Sequence, residues 1–294
     1  MFDSKNCEAI TKMLLAEGKQ LFSQKPTPHQ FTGIPEADRL LNDLEHYPHA
    51  FVLGCIMDRQ VKAERAWTVP YHFAKHIGGF SFDRLSKLSL AKISKIMVTP
   101  VPQHRFPESM SENFYLAIQR IGDQWEGDAS KIWSDKPSSA AVVYRFLQFH
   151  GAGPKIATMA ANILARTFKI PFSDYVSIDI SVDVQVRRVF ERLHLCQRGE
   201  SNDAIIYLAR SINPKFPGLL DSFAWQIGRK WCFATNPNCS DCPMAEKNLC
   251  PTANQMADEE VKAIQAAVND VEIGAKGKAA KSVVLRLKSK LKKR

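Results

Sequence analysis

Phe146–Leu164 reads FLQFHGAGPKIATMAANIL, and this stretch decides how the chain folds. Apolar residues recur at helical spacing on either side of Gly151-Ala152-Gly153, so two helices meet there at a tight turn. Both glycines can take positive φ, where the lack of a Cβ removes the clash. Pro154 suits the first turn of the second helix, where its missing N–H costs nothing. The N–H groups at that helix start point outward and can hold a phosphate, directly or through an ion. Lys155 follows at once, and Ala157, Ala160 and Ala161 give the second helix a narrow apolar face.

Working outward, most long segments carry the same period. Ala50–Phe73 is predicted as one helix, with Arg59, Lys62 and Arg65 along one face. Phe82–Met97, Met110–Ile121, Ser139–Phe149, Ser181–His194 and Leu219–Trp231 read as further helices, and the one opened by Pro154 continues to about Thr167. VTPVPQHRFPES (98–109) is a proline-rich loop, and KIPFSDY (169–175) is a second break. Trp67, Trp225 and Trp231 have apolar neighbours at helical spacing and are expected in the core. Strand signals are scarce. The predicted fold is all-α, with two helical lobes.

A second cluster lies downstream. CFATNPNCSDCPMAEKNLC holds Cys232, Cys239, Cys242 and Cys250, with six, two and seven residues between successive thiols. Four soft ligands on one short loop read as a metal or iron–sulfur site. A zinc ribbon would show two C-x2-C knuckles, and only one is present. The asymmetry suits a 4Fe–4S cluster, with zinc as the other reading. A disulfide framework is disfavoured by length, by the odd total of seven Cys and by the lack of a secretory leader. Cys7, Cys55 and Cys196 show no ligand spacing and read as small packed residues.

At 294 residues and 45% hydrophobic composition the chain can bury a substantial core, and no apolar run reaches membrane-spanning length. The net charge is +10, but nine basic residues and no acid follow Ile273, so the tail carries all but one unit of it. Such an arm attracts a polyanion, less strongly as salt rises, or simply solubilises the chain. Thiolate ligands suit a reducing compartment, the cytoplasm with its nucleoid or the nucleus.

HGAGPKIA, then SVDVQVRRVFERL (Ser181–Leu193), then WQIGRKWCFATNPNCSDCPMAEKNLC (Trp225–Cys250) together resemble the helix-hairpin-helix (HhH-GPD) base-excision DNA glycosylases with an iron–sulfur loop, of the endonuclease III type. The resemblance runs from about Ala50 to Cys250. It implies a six-helix barrel domain with the hairpin (48–166) and a helical domain with the cluster loop (167–254), the active site lying in the cleft between them. An N-terminal extension (1–47) would pack on the cluster domain, and 255–294 would be the basic tail. It also implies a monomer acting on double-stranded DNA that contains a damaged base or an abasic site, with no membrane.

Residue by residue, Lys155 falls on the nucleophilic lysine of the bifunctional members, and Asp183 on the aspartate that stabilises the oxocarbenium-like sugar. Adenine-mismatch and alkylbase relatives lack that lysine. Asp179, one helical turn earlier, is the rival carboxylate. Lys155 and Asp183 stand further apart in sequence than is usual in the family, so Thr167–Ile180 is expected to loop out. Gln60 falls where relatives carry a glutamine that fills the gap left by a flipped nucleotide, and otherwise reads as an exposed helix residue. Gly151, Gly153, Arg229 and Lys230 are the further expected DNA contacts, and the four cysteines hold the cluster. The implied activity is a DNA glycosylase with β-elimination lyase activity. The alternative is a monofunctional or non-catalytic damage-recognising protein on the same scaffold.

Overall fold

The computed structural model describes residues 4–274; the basic run from Lys276 onward lies outside the described residues. Among them are fourteen α-helices and no strand. In chain order these are α1 (Ser4–Ser23), α2 (Pro35–Asn42), α3 (Pro48–Met57), α4 (Ala63–Ile77), α5 (Phe82–Ser86), α6 (Leu90–Met97) and α7 (Pro107–Trp125). Then follow α8 (Ser139–Leu147), α9 (Pro154–Arg166), α10 (Val184–Arg192), α11 (Asn202–Ile212), α12 (Leu219–Lys230), α13 (Pro243–Glu246) and α14 (Pro251–Gly274). Turn chemistry sets many of the starts. Prolines open α2, α3, α7, α9 and α13, and the hydroxyls of Ser89, Ser138 and Ser201 cap α6, α8 and α11.

The described residues form two compact units. The larger comprises Leu14–Asp183 and Ser201–Phe223; the smaller comprises residues up to Met13, Val184–Glu200 and the chain from Ala224. The chain therefore passes from one to the other within α1, before α10, before α11 and within α12.

In the larger unit α3 is apolar on every side and every one of its residues is buried. It packs against α2, α4, α7 and α9. Gly54 allows the approach of α4, since a Cβ there would lie 2.6 Å from the Trp67 ring. Phe73 of α4 stacks on Phe114 of α7 at 4.3 Å between centroids. Ala157, Ala160 and Ala161 are wholly buried, as their spacing predicts, and α8 lies alongside α9.

Three sequence expectations change. Ala50–Phe73 is two helices, because α3 is buried all round and cannot continue into the charged run that starts at Asp58. The Asp58 N–H closes the turn onto Cys55 O at 3.1 Å, and Gln60 adopts φ +51°. Arg59, Lys62 and Arg65 thus share no helix face; Arg65 donates instead to the carbonyls of Pro102 and Gln103. Phe82–Met97 is likewise interrupted, between α5 and α6. Finally, 167–180 does not loop out. Phe172 and Ile178 are buried in the core, Gly218 N–H donates to Ile178 O at 2.7 Å, and Tyr175 stacks on Phe216. Exposing two such side chains would cost about 2 kcal/mol each, which decides for the packed path.

Candidate active site and cysteine loop

The hairpin turn is His150–Gly153, between α8 and α9. Gly151 has φ +81°, and a Cβ there would lie 2.5 Å from Asn113 Nδ2 and 2.9 Å from an Arg59 guanidinium nitrogen. Asn113 is buried, and its Oδ1 meets His150 Nδ1 at 2.7 Å. Gly153, free to take positive φ, instead has φ −103° and caps α9 with extended backbone; a Cβ there meets nothing within 4 Å. The two glycines are therefore unequal. Gly151→Ala should cost about 2 kcal/mol or more through steric overlap and strained backbone, whereas Gly153→Ala should stay within about 0.5 kcal/mol. Denaturant melts of both variants check this.

Lys155 stands in the first turn of α9, where the helix dipole disfavours a cation. Its Nζ donates to Asp58 Oδ2 at 2.9 Å, in the turn that follows α3, and lies 3.8 Å from Met159 Sδ. The Asp58 side chain is 11% exposed and that of Lys155 35%. Cys55, wholly buried below the pair, has its thiol pushed well up by burial and further by Asp58, with Lys155 opposing. Sequence reading missed Asp58.

Asp183 directly precedes α10 and is half-buried. Its N–H donates to Ser181 O at 2.6 Å, and the Ser181 N–H donates to Asp221 Oδ2 at 2.9 Å. Burial pushes the Asp221 carboxyl up to about 6, and the nearby Asp183 adds to that while Ser181 and Arg166 oppose it. Asp179, the rival, is held by Arg210 through two hydrogen bonds of 2.7 Å. That bidentate pair gives it a structural task.

Gln60 is exposed in a left-handed conformation uncommon for a side chain of its kind, on the same turn as Asp58 and Arg59. The turn thus brings Asp58 to Lys155 and Arg59 to Gly151. Arg229 and Lys230 end α12, their charges over the rings of Trp225 and Trp231 at 5.3 and 5.7 Å. Both tryptophans are only half-buried, which corrects the expectation of core positions; Trp67 is buried as expected.

In the smaller unit all four candidate cysteines line one cavity of about 310 Å³, part of it open to solvent. Burial pushes the Cys239 and Cys250 thiols up, Cys250 to about 11, and the neighbouring cysteines raise both further. Arg192 of α10 clamps the loop, donating to Cys232 Sγ at 3.2 Å, Phe233 O at 2.7 Å and Ala234 O at 3.0 Å. Arg188 donates to Cys232 O at 2.6 Å and Gly228 O at 3.0 Å. Arg188 is the arginine of the Val182–Val189 motif, and Arg192, which the sequence reading missed, follows it at i, i+4 on α10. Among the described residues no three Cys, His, Asp or Glu side chains converge as a single-ion site. Thiolates around one zinc, bonded at about 2.3 Å, lie within about 4 Å of one another. The four thiols that line one cavity are a soft donor set of the kind a zinc ion or an iron–sulfur centre takes.

The all-helical fold, with a glycine turn between α8 and α9, is similar to that of solved DNA-glycosylase structures. The fold is that of endonuclease III. A trapped covalent endonuclease III–DNA intermediate aligns at 16% identity, covering 85% of this chain and 98% of that one, with a TM-score of 0.57. A non-covalent endonuclease III–DNA complex gives 16%, 86%, 98% and 0.56. A thermostable thymine-DNA glycosylase gives 14%, 85%, 98% and 0.55. No protein-family profile and no curated protein matches the chain. Among the described residues no helix is long and apolar enough to cross a membrane.

Proposed function

We propose that this chain is a DNA repair glycosylase with associated abasic-site lyase activity, using Lys155 as nucleophile and Asp183 as the carboxylate that stabilises developing positive charge on the sugar. The observation that carries the reading is the placement of Lys155 in the first turn of α9, directly after the hairpin, on an endonuclease III-like fold. The lysine amine would attack C1′ of the deoxyribose, the damaged base would leave, and the covalent intermediate would become a protonated Schiff base. Loss of a C2′ proton would then expel the 3′-phosphate and nick the strand. Asp183 supplies negative charge beside the sugar as the bond to the base breaks.

The hairpin around Gly151 and Gly153 would hold a backbone phosphate without reading sequence. Gln60 would enter the duplex where a nucleotide leaves the stack, and Arg229 and Lys230 would add phosphate contacts. Cys232, Cys239, Cys242 and Cys250 would hold a 4Fe–4S cluster. Once bound it would serve to tie the loop together, since glycosidic cleavage transfers no net electrons.

The test is incubation of the full chain with a duplex carrying one abasic site, with and without borohydride. A strand nick and a reducible protein–DNA crosslink are expected. Binding without nick or crosslink would leave the monofunctional or non-catalytic reading. A duplex panel with single damaged bases then defines the substrate.

A further inference from the structure

We infer that Asp58 is the positioning residue of Lys155 and takes the proton that the lysine must lose before it can attack. This rests on the lyase reading above and adds a carboxylate which that reading did not assign. Three observations support it. Lys155 lies at the positive end of α9, where an ammonium is disfavoured unless an anion faces it. Asp58 Oδ2 is that anion, at 2.9 Å, within proton-transfer distance. The carboxylate is itself nearly enclosed, at 11% exposure, because the fully buried α3 ends there and delivers it from the core. A carboxylate held by the end of a buried helix keeps its direction, so the lysine has one resting orientation.

The proton balance at an abasic site closes with these two groups. Lys155 ammonium and Asp58 carboxylate become amine and carboxylic acid. The amine adds to the sugar aldehyde, forming the C–N bond, and its second proton moves to the aldehyde oxygen to give a carbinolamine. Asp58 returns its proton to that hydroxyl, which leaves as water, and the nitrogen is left as the cationic Schiff base. Asp58 ends as a carboxylate facing a cation, as it began. The other groups that face the pair are the Cys55 thiol of α3, kept protonated by burial, and Met159 of α9; Arg59 follows on the same turn.

Single-turnover borohydride trapping on abasic-site duplex tests this, with wild type, Asp58→Asn, Asp58→Ser and Asp58→Glu compared from neutral to alkaline pH. Asp58→Asn should trap about 10- to 100-fold more slowly at neutral pH, with the deficit closing as the medium becomes alkaline enough to deprotonate lysine unaided. Added formate should restore part of the rate in Asp58→Ser, and Asp58→Glu should retain more activity than either. DNA affinity should stay within about threefold of wild type. A merely structural role moves none of the pH dependence, the rescue or the Glu–Asn difference. If Asp58→Asn fails to fold, the formate response of Asp58→Ser decides. Equal trapping by wild type and Asp58→Asn at every pH, faster trapping by the variant, or no formate response overturns the inference. Wild type that does not trap at all overturns the lyase reading itself, a result seen before any variant is compared.

Discussion

Lys155→Ala should abolish the borohydride crosslink and slow strand scission by about 10³-fold or more, with DNA affinity changed only a few-fold. The size follows from the kind of group removed. A nucleophile that forms a covalent intermediate has no substitute in the site, whereas a phosphate contact in the hairpin would cost binding and leave scission intact. Alanine also leaves the nearly enclosed Asp58 carboxylate without its cation, which costs about 1–2 kcal/mol of stability. Lys155→Gln separates the two effects, because its amide can still donate to Asp58 but cannot form a Schiff base. Both variants should be equally inactive, and only Lys155→Ala should melt earlier. Lys155→Gln that traps or nicks at the wild-type rate would place the nucleophile elsewhere. Gel analysis of trapped and nicked products, beside thermal melts, reads all of this.

The second large effect is expected at the cysteine loop. Purified protein should be brown and carry about four irons per chain, and Cys242→Ser should be colourless and lose at least about 4 kcal/mol of stability. Cys242 is 7% exposed, opens α13 and lines the cavity shared with the other three thiols. The smaller unit has few fully buried apolar side chains, Phe190, Val186 and Met244 among them. A unit with so little core depends on a staple. Cys196→Ser is the control: that thiol is equally buried in the same unit but lies outside the cavity. It should keep its iron and cost about 1 kcal/mol. Iron analysis, visible absorbance and melts distinguish the outcomes. Colourless wild type with one zinc would replace the cluster by a single-ion site.

What could be read in the sequence was whatever depends on neighbours along the chain. The start of α9 follows from Gly151, Pro154 and three alanines within a dozen positions. The four thiols are legible for the same reason, since one loop carries them all. Asp58 was not legible, because its partner is 97 positions away and nothing local marks it. The break after Met57 was hidden as well. Periodicity cannot tell a long amphipathic helix from two shorter ones until burial on every side forces the first to stop. The packed path of 167–180 is hidden in the sequence because extra length reads as a loop, whereas Phe172 and Ile178 have core positions to fill. Gly153 shows the limit in miniature. Its residue type permits positive φ, but only the start of α9 determines which backbone angle it takes.

The path of the chain through its two units, changing over four times, governs how the protein can be cut, made and inherited. No single cleavage separates the units, so a fragment ending at Asp183 lacks the segment Ser201–Phe223 that completes its own unit. Emerging from a ribosome, the larger unit has to wait for that segment, and by then α10 of its companion is already present. Dissecting the protein into separately expressed halves should therefore yield insoluble pieces. A single crossover after Phe223 would carry the larger unit whole, but any single break divides the smaller one.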